Sequence, residues 1–494
     1  LEYFLFYSTI KYRELQGILQ IFIFFILLML VEGSKMSRLG QINDLISKMN
    51  EQPSEARLRL ENLFDENSFV EIGSFNTDAG VVTGYGTVNG KIVYAFCQNG
   101  PVGVKHAKKI GNIYGLALKM GSPVVSIMDS KGLKLEEGLN TLEAYGTIFK
   151  NQTNASGVVP QISIILGDCL GIASFMPIVS DFVVMCKKNA KMFMMSPATM
   201  PGLDGKSTSY EQLGGADTLS KEGMVHISCD DEKACFSKVR QLIDFLPENN
   251  LDLVRPELTS DDLNRVDSNL DNIIPEDNVT PIDMKYVINS VADNNVFLEL
   301  RENYAENIIT GYAKFDGVTT GIVANNGLFN VKAAKKASEF INTCDAFNIP
   351  ILTFTDIVGY EKELKEEQMG IIKYSSILMS SFANATVPKI NIILRNGIGN
   401  AYFLMNSKHI GADIVYAWPT ATISLMDKTS SINVLQIDSS KFDDISNPYA
   451  VAGNGFVDTV ILPSNTRKRI ISAIEMLLTK RVVKPAKKHS SNDY

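Results

Sequence analysis

One segment of the sequence occurs twice, and this repeat limits the possible folds more than any other feature. Residues 159–175 read VPQISIILGDCLGIASF, and residues 387–403 read VPKINIILRNGIGNAYF. Each copy has a short apolar run rich in isoleucine, which is typical of a strand covered on both faces in a parallel sheet. A glycine follows in each copy, Gly171 or Gly399. The pattern predicts a buried strand, a tight turn and the first turn of a helix, twice in one chain.

Identical residues before and within this segment show that the repeat is a whole domain. Four pairs hold a nearly constant spacing, which is 227 positions in the first three pairs and 228 in the last. Self-similarity at a fixed spacing indicates tandem duplication, and strands that alternate with helices indicate parallel sheets with right-handed crossovers. The predicted fold class is therefore α/β, with one domain built twice. The pairs are Thr83 and Thr310, Pro123 and Pro350, Asp129 and Asp356, and Gly171 and Gly399.

Local signals predict the elements of the first copy. Asn89-Gly90, between two runs of strand-forming residues, predicts a hairpin that begins at residue 81. Gly121, which Pro123 follows closely, predicts the end of a helix that begins near residue 103. The remaining elements are predicted as a strand over residues 124–128, a helix over about 136–150, and strands over 182–185 and 192–195.

The domain organisation follows from the repeat. Residues 36–250 and 283–494 carry the two copies, and we expect them to form an N-terminal and a C-terminal domain. Residues 251–282 are rich in Asp, Asn, Glu and Pro, which predicts an acidic linker with a short helix over about 260–270. Near the end of the chain, an amphipathic helix is predicted over residues 464–480.

Residues 1–35 differ from the rest of the sequence. Their apolar run, residues 21–31, is too short for a comfortable membrane span, and no small-residue cleavage site follows it. Three interpretations stay open: a translated upstream leader, a membrane anchor and a signal peptide. We favour the leader because Met36 is the first plausible start, and codons for Glu32-Gly33 can spell a purine-rich ribosome-binding site.

Composition limits the classes of function. The formal net charge is −8, and no basic cluster compensates for it, so we expect no nucleic-acid partner. Six cysteines form no CxxC pair, which favours free thiols in a reducing compartment such as the cytoplasm. The four histidines lack the spacing of metal ligands. We therefore expect no metal, although a site built from carboxylates stays open.

The two glycine turns indicate a kind of chemistry. The first N–H groups of a helix have no intrahelical acceptor and lie at the positive end of the helix dipole, so they can stabilise a developing oxyanion. Two such turns suggest a reaction with two oxyanions. The alternative is two ordinary strand–turn–helix units. Asp129 and Asp356 end equivalent strands and could form a carboxylate pair, but we favour a role in capping the turns that follow them.

Longer stretches carry a family resemblance that covers nearly the whole chain after Met36. The sequence resembles the carboxyltransferase subunit of biotin-dependent acyl-CoA carboxylases and of the related decarboxylases. The stretches include HAKKI at residues 106–110, ASGVVPQIS at 155–163, EQLGGA at 211–216, CDAFNIPILTFTD at 344–356, ATVPKI at 385–390, NSKHIGADIVYAWPTA at 406–421 and TRKRIISAIEMLLTKR at 466–481.

The resemblance implies a fold, an assembly and a reaction. It implies two crotonase/ClpP-like domains per chain and a homo-hexamer, in which the acyl-CoA lies on the N-terminal domain of one subunit and biotin on the C-terminal domain of its partner. Carboxybiotin would release carbon dioxide, the biotin oxyanion would remove the α-proton of the acyl thioester, and the enolate would attack carbon dioxide. No side-chain acid or base is needed. Two oxyanions would then account for two glycine turns.

The resemblance also implies partners. The chain has no biotin-attachment lysine or ATP site of its own, so biotin would come on a separate carrier protein. A biotin carboxylase or a membrane decarboxylase subunit would complete the complex. The expected location is the cytoplasm, or the periphery of the inner membrane in a decarboxylase complex. Acyl-CoA is the expected substrate, with propionyl-CoA and methylmalonyl-CoA favoured.

On the acyl-CoA side, the resemblance implies that the main chain of Gly171 and Ile172 holds the thioester enolate. The family usually has a second glycine at the position of Ile172, and isoleucine tolerates unusual backbone angles poorly. Gly132 and Lys134 would contact the CoA, although the family has an arginine at the position of Lys134. Phe403 corresponds to a residue that helps to select the acyl chain.

On the biotin side, the resemblance implies that the main chain of Asn400 and Ala401, after Gly399, holds the biotin oxygen. Gly359 and Tyr360 would belong to the biotin-binding loop, whose sequence departs from the family pattern. Two alternatives to an active carboxyltransferase stay open. One is a catalytically silent scaffold subunit, and the other is a different crotonase-type CoA reaction, such as thioester hydrolysis or hydration, for which Asp168 is the nearby carboxylate.

Overall fold

The computed structural model describes residues 40, 42–43, 47, 53–130, 132–195, 209–254, 256–275, 277 and 280–486, without the side chain of Leu435. Leu1–Leu58 and Arg59–Tyr494 form separate compact units, and the folded domains lie in the second. The apolar run at residues 21–31 lies outside the described residues. None of the helices in the described parts of the chain combines the length and hydropathy needed to span a bilayer.

The first sheet is built mainly from parallel strands. A hairpin of β2 and β3 opens it, and Asn89 and Gly90 both take positive φ values, of 51° and 80°, as a two-residue hairpin turn requires. The strand order is β1-β2-β3-β4-β5-β7-β9, and every pairing after β3 is parallel. Its strands are β1 Val70–Glu71, β2 Val81–Val88, β3 Lys91–Gln98, β4 Val124–Met128, β5 Gln161–Ile165, β7 Phe182–Cys186 and β9 Ile227–Cys229. Strands β6 Asp168–Leu170 and β8 Lys191–Phe193 form a separate two-stranded sheet.

Helices connect these strands. The helix after β3 ends at Gly121, which takes a left-handed φ of +64° and donates its N–H to the carbonyl of Ala117, as predicted. The helix that was predicted to begin near residue 136 begins instead at Asn140, because Gly138, with φ +56°, ends a short 3-10 turn before it. The helices are α1 Glu55–Leu63, α2 Val104–Met120, α3 Asn140–Ala155, α4 Phe175–Val179, α5 Tyr210–Gly214, α6 Ala216–Lys221 and α7 Glu232–Phe245.

The second sheet repeats the first. Its order is β10-β11-β12-β13-β14-β15-β17, and β16 pairs with the far end of β14. The strands are β10 Phe297–Leu300, β11 Ile308–Phe315, β12 Val318–Asn325, β13 Ile351–Ile357, β14 Lys389–Ile398, β15 Ile414–Ala417, β16 Thr422–Ser424 and β17 Thr459–Val460. The helices are α8 Met284–Val291, α9 Val331–Ala346, α10 Leu364–Gln368, α11 Ile371–Asn384, α12 Gly399–Leu404, α13 Lys428–Leu435, α14 Ser439–Ser446, α15 Pro448–Gly453 and α16 Thr466–Leu477.

The duplication is confirmed by the structure. Strands β2 and β11, and strands β3 and β12, begin and end 227 positions apart. Asp316 and Gly317, at the second hairpin, take φ values of 51° and 71°, which match those of the first hairpin. The second core is closed by α16, and the indole N–H of Trp418 donates to the hydroxyl of Thr466 at 3.0 Å.

The predicted helix over residues 260–270 is wrong. The structure has a 3-10 turn at Ser268–Asn272 instead. Short polar side chains compete for the backbone here, since Asp262 accepts the N–H of Asn264 at 2.9 Å and Asp267 accepts that of Asn269 at 3.0 Å. Such local bonds favour turns over helices. The domain boundaries at residues 250 and 282 stay predictions.

A buried histidine makes the first domain sensitive to acid. Burial lowers the pKa of His106 to about 3, with a further contribution from Lys109, and the ring lies 3.2 Å from the Gln98 amide. The unfolded chain binds this proton near pH 6.5, so stability falls as the pH drops below 6.5, by about 2 kcal/mol at pH 5. We expect His106→Gln to reduce the drop in melting temperature between pH 7.5 and pH 5. An unchanged drop in melting temperature would contradict this prediction. The second copy carries Ala333 at the position that matches His106.

Candidate functional site

The first glycine turn, residues 171–174, follows the short strand β6. This strand pairs in parallel with β8, so the chain enters the turn extended, with Leu170 at φ −114° and ψ 149°. Gly171 then takes φ +59°, and a 3-10 turn leads into α4. The Ser174 hydroxyl donates to the Gly171 carbonyl at 2.7 Å, and the Cys169 thiol donates to the Ala173 carbonyl at 3.3 Å. Side chains of the turn therefore hold its main chain in place.

The second glycine turn, residues 399–401, also begins with a left-handed glycine, but it opens an α-helix where the first opens a 3-10 turn. Strand β14 runs on to Ile398 and pairs in parallel with β16 over its last three residues, as β6 pairs with β8. Gly399 takes φ +64°, within a few degrees of Gly171, and begins α12. The two copies therefore present equivalent turns at the same end of equivalent strands.

The first N–H groups of each turn lack an intrahelical acceptor because they lie at the start of a helical segment. A methyl group on Gly171 would meet no atom within 4 Å, so the space beside this glycine is open. Ile172 is half-buried, Asn400 is exposed and Ala401 is buried. Neither Ile172 nor Asn400 takes a positive φ. The two side chains therefore impose no left-handed strain on the turns, which answers the sequence-based concern about isoleucine.

A second loop in each copy follows β4 or β13 and contains the other predicted site glycines. Gly132 takes φ +84° and Gly359 takes φ +146°. The Val102 N–H donates to the Gly132 carbonyl at 2.8 Å, and the Phe329 N–H donates to the Gly359 carbonyl at 3.0 Å. These bonds attach each loop to the residues just before the preceding helix, α2 or α9. We call them the first and second aspartate loops after Asp129, which directly follows β4, and Asp356, the second-last residue of β13.

Three side chains predicted for the site have close neighbours. The Lys134 ammonium lies 3.1 Å from the Glu137 carboxylate, so a charged ligand would compete with an acid for it. The Tyr360 ring packs edge-on against Phe329, with centroids 5.9 Å apart. Phe403 stacks on His409 at 6.4 Å between ring centroids.

The expectation that Asp129 and Asp356 cap the following turns is wrong. The Asp129 carboxylate pairs with Arg59 at 2.8 Å, and the Asp356 carboxylate pairs with Arg395 at 2.8 Å. Sequence reasoning missed both arginines. A signal was available for Arg395, since it directly follows the buried apolar run of β14, where an unpaired charge would be costly.

Two titratable side chains beside the turns stay protonated because they are buried. Burial raises the pKa of the Cys169 thiol well above its usual range, so this thiol stays protonated and is a poor nucleophile. Burial likewise raises the pKa of Tyr402, on α12. Among the described residues, no cluster of His, Cys, Asp and Glu could hold a metal ion. Asp168, half-buried in β6, is the carboxylate of that strand.

Comparisons with known proteins agree with this architecture. Residues 50–491 match the carboxyl transferase domain family. Methylmalonyl-CoA decarboxylase subunit alpha of Veillonella parvula is 40% identical, over 88% of this chain and 92% of its own length. Propionyl-CoA carboxylase beta chain of Roseobacter denitrificans is 38% identical, over 88% and 93%. A solved hexameric transcarboxylase 12S with bound methylmalonyl-CoA and methylmalonic acid is 33% identical, covers 92% of this chain and 99% of its own, and has a TM-score of 0.86.

Proposed function

Because the chain belongs to the carboxyl transferase domain family, we propose that it moves a carboxyl group between biotin on a carrier protein and a short acyl-CoA. Propionyl-CoA and methylmalonyl-CoA are the favoured pair, since relatives are named as acting on these two thioesters. The observation that carries the proposal is the pair of equivalent glycine turns, with Gly171 at φ +59° and Gly399 at φ +64°. A reaction in which two oxygens become negative uses both turns.

Each turn has one task in this proposal. The N–H groups of Gly171 and Ile172 stabilise the oxygen of the thioester enolate, next to the open space beside Gly171. The N–H groups of Asn400 and Ala401 bind the ureido oxygen of biotin, and the exposure of Asn400 fits a group that arrives on another protein. Biotin supplies the carrier of the carboxyl group and an oxygen that collects negative charge.

The surroundings support a reaction without a side-chain acid or base. The Cys169 thiol, beside the first turn, stays protonated because burial raises its pKa. Hydrolysis or hydration of a thioester would instead need a placed carboxylate, for which Asp168 is the candidate. Gly132 and Lys134 are assigned to the CoA, Phe403 to the choice of acyl chain, and Gly359 and Tyr360 to biotin, each as part of the same proposal.

The proposal includes an assembly. We infer a homo-hexamer, because the similar transcarboxylase 12S is described as a hexamer, and a biotin-carrier protein as partner. A biotin carboxylase or a membrane decarboxylase subunit would supply or consume the carboxyl group. A cytoplasmic location, at the inner membrane if the partner is a decarboxylase, is inferred from the six free thiols at described positions.

The deciding experiment is carboxyl transfer from methylmalonyl-CoA to free biotin by the purified chain. Carboxybiotin and propionyl-CoA in equal amounts are the expected products. Release of free CoA instead would indicate a hydrolase. Binding of CoA without any turnover would indicate a scaffold subunit. Propionyl-CoA formed without biotin would indicate a reaction in which the second turn has no part.

The ion pair at Lys134 gives a test of the CoA side. Lys134→Ala should weaken CoA binding about fivefold or less, because a charge that is partly open to solvent contributes little. Glu137→Gln should tighten it by a similar factor, since it frees Lys134 and keeps an acceptor for the Val104 N–H, which the Glu137 side chain now binds at 2.7 Å. Isothermal titration with CoA measures both. Weaker CoA binding by the Glu137→Gln variant would contradict the assignment of Lys134 to the CoA site.

A further inference from the structure

Each aspartate loop is held by a buried arginine. The side chains of Arg59 and Arg395 are only 7% and 6% exposed, and their carboxylate partners are Asp129 at 19% and Asp356 at 11%. Charged groups this deeply buried need strong partners. Both pairs lie at the ends of equivalent strands, β4 and β13, where the aspartate loops begin.

In the first copy, the arginine comes from the helix that precedes the first sheet. Arg59, on α1, donates through Nη1 to Asp129 at 2.8 Å, and through Nη2 and Nε to Glu232 at 2.7 and 3.2 Å. The Asp129 carboxylate lies directly on Gly167, where a methyl group would approach Oδ1 to 2.2 Å. Glycine at position 167 therefore leaves the space that this carboxylate occupies.

In the second copy, the arginine comes from the strand itself. Arg395 stands 228 positions after Gly167, so it occupies the equivalent place in β14. Its Nη2 donates to Asp356 at 2.8 Å. The same carboxylate accepts the main-chain N–H and the side-chain amide of Asn396, both at 2.9 Å. The two copies thus reach the same ion pair by different routes.

These ion pairs connect the aspartate loop to the glycine turn in each copy. In the first copy, the N–H of Ser130 donates to the carbonyl of Asp168 at 2.8 Å, three residues before Gly171. In the second, the carboxylate of Asp356 holds Asn396, three residues before Gly399. A shift of the carboxylate would therefore move both the loop and the strand that presents the turn.

We propose that Arg59 and Arg395 are positioning residues, each for one substrate side only: Arg59 for the acyl-CoA side and Arg395 for the biotin side. This inference rests on the proposed function, because it assigns the two copies to different substrates. Neither arginine needs to touch a substrate. Each acts through its aspartate on the shape of one loop and one turn.

A purely structural role is the competing explanation, and Glu232 separates the two. Among the described residues, Arg59 binds the acids Asp129 and Glu232. Asp129 leads into the first aspartate loop, whereas Glu232 begins α7 and its side chain is 34% exposed. Glu232→Gln weakens the contact to α7 and leaves the Arg59–Asp129 pair. It is the matched control for Asp129→Asn, which weakens the pair itself with the same change of atoms.

The test measures both Michaelis constants for transfer from methylmalonyl-CoA to free biotin. Arg59→Gln and Asp129→Asn should raise the KM for methylmalonyl-CoA about tenfold or more, because a hydrogen bond between charged groups is lost. The KM for biotin should stay within about twofold. Arg395→Gln should instead raise the KM for biotin about tenfold or more and leave the KM for methylmalonyl-CoA within about twofold. Arg59→Lys and Arg395→Lys keep the positive charge without the planar guanidinium, so their KM values should lie between those of the wild type and the glutamine variants. If a glutamine variant does not fold, the lysine variant replaces it in the test.

The outcomes separate this inference from the proposed function. Equal changes in both KM values, or a Glu232→Gln variant that behaves like Asp129→Asn, would overturn the positioning role. If the wild-type chain transfers no carboxyl group, the proposed function fails, and calorimetry with CoA alone still decides the inference. Weaker CoA binding by Arg59→Gln with unchanged binding by Arg395→Gln supports it. Equal CoA affinities for the two variants overturn it.

Discussion

Gly171→Val is expected to reduce carboxyl transfer by about 10²–10³-fold, the typical effect of losing one oxyanion donor. Gly171 takes φ +59°, a region that a β-branched residue adopts only with strain. The valine side chain would also enter the open space beside the turn, where the proposal places the thioester. The rate of transfer from methylmalonyl-CoA to free biotin measures the effect.

Two variants serve as controls for this result. Gly157→Val places valine at a φ of +68° with no atom within 4 Å of the added carbon, in the turn between α3 and β5 and away from both glycine turns. It should keep activity if strain alone is not the cause. Ile172→Gly should keep or raise activity, since the N–H remains and Ile172 takes no positive φ. Full activity in Gly171→Val would remove this turn from the site.

Much of the fold could be predicted because the sequence of one domain occurs twice in the chain. The spacing of 227 and 228 positions between matched residues predicts that β2 and β11 are equivalent, and so are the glycine turns. The turns themselves depend on local rules. Asn89-Gly90 and Gly121 need positive φ values, and a residue that satisfies such a need can be recognised within a few positions.

The ion pairs could not be predicted in the same way. Arg59 lies 70 positions from Asp129, and no local rule connects an arginine on one helix to the end of a strand. The repeat gave no help, because the equivalent residues Gly167 and Arg395 differ in role. Gly167 leaves space for the Asp129 carboxylate, whereas Arg395 pairs with Asp356. Only the three-dimensional structure shows that a guanidinium from α1 replaces the one that the second copy has in β14.

The prediction of a helix in the linker was wrong for a different reason. The segment rich in Asp, Asn, Glu and Pro predicts a short helix over 260–270, but the side chains of Asp262 and Asp267 bond to nearby N–H groups. Which of the two hydrogen-bond patterns forms depends on tertiary contacts. Arg265, for example, binds Asp261 and also donates to the carbonyl of Ser290 at 2.6 Å, so the linker is fixed by the second domain.

The second glycine turn should respond to substitution as strongly as the first, but on the other substrate. Gly399→Val is expected to reduce transfer to free biotin by about 10²–10³-fold. Gly399 takes φ +64°, and an added carbon would lie 3.1 Å from the Leu425 carbonyl oxygen, so valine strains the turn and displaces its N–H groups. Binding of CoA by calorimetry should stay within about twofold, because the first turn is untouched.

Asn400→Ala is the matched control for this prediction. The exposed Asn400 side chain is lost, but the main-chain N–H that the proposal assigns to biotin remains, so transfer should be kept. If Asn400→Ala loses as much activity as Gly399→Val, the amide side chain and not the main chain binds the biotin oxygen. If Gly399→Val weakens CoA binding instead, the two copies do not divide the substrates between them. Selective loss on the biotin side is therefore the result that links the duplication of the chain to its chemistry.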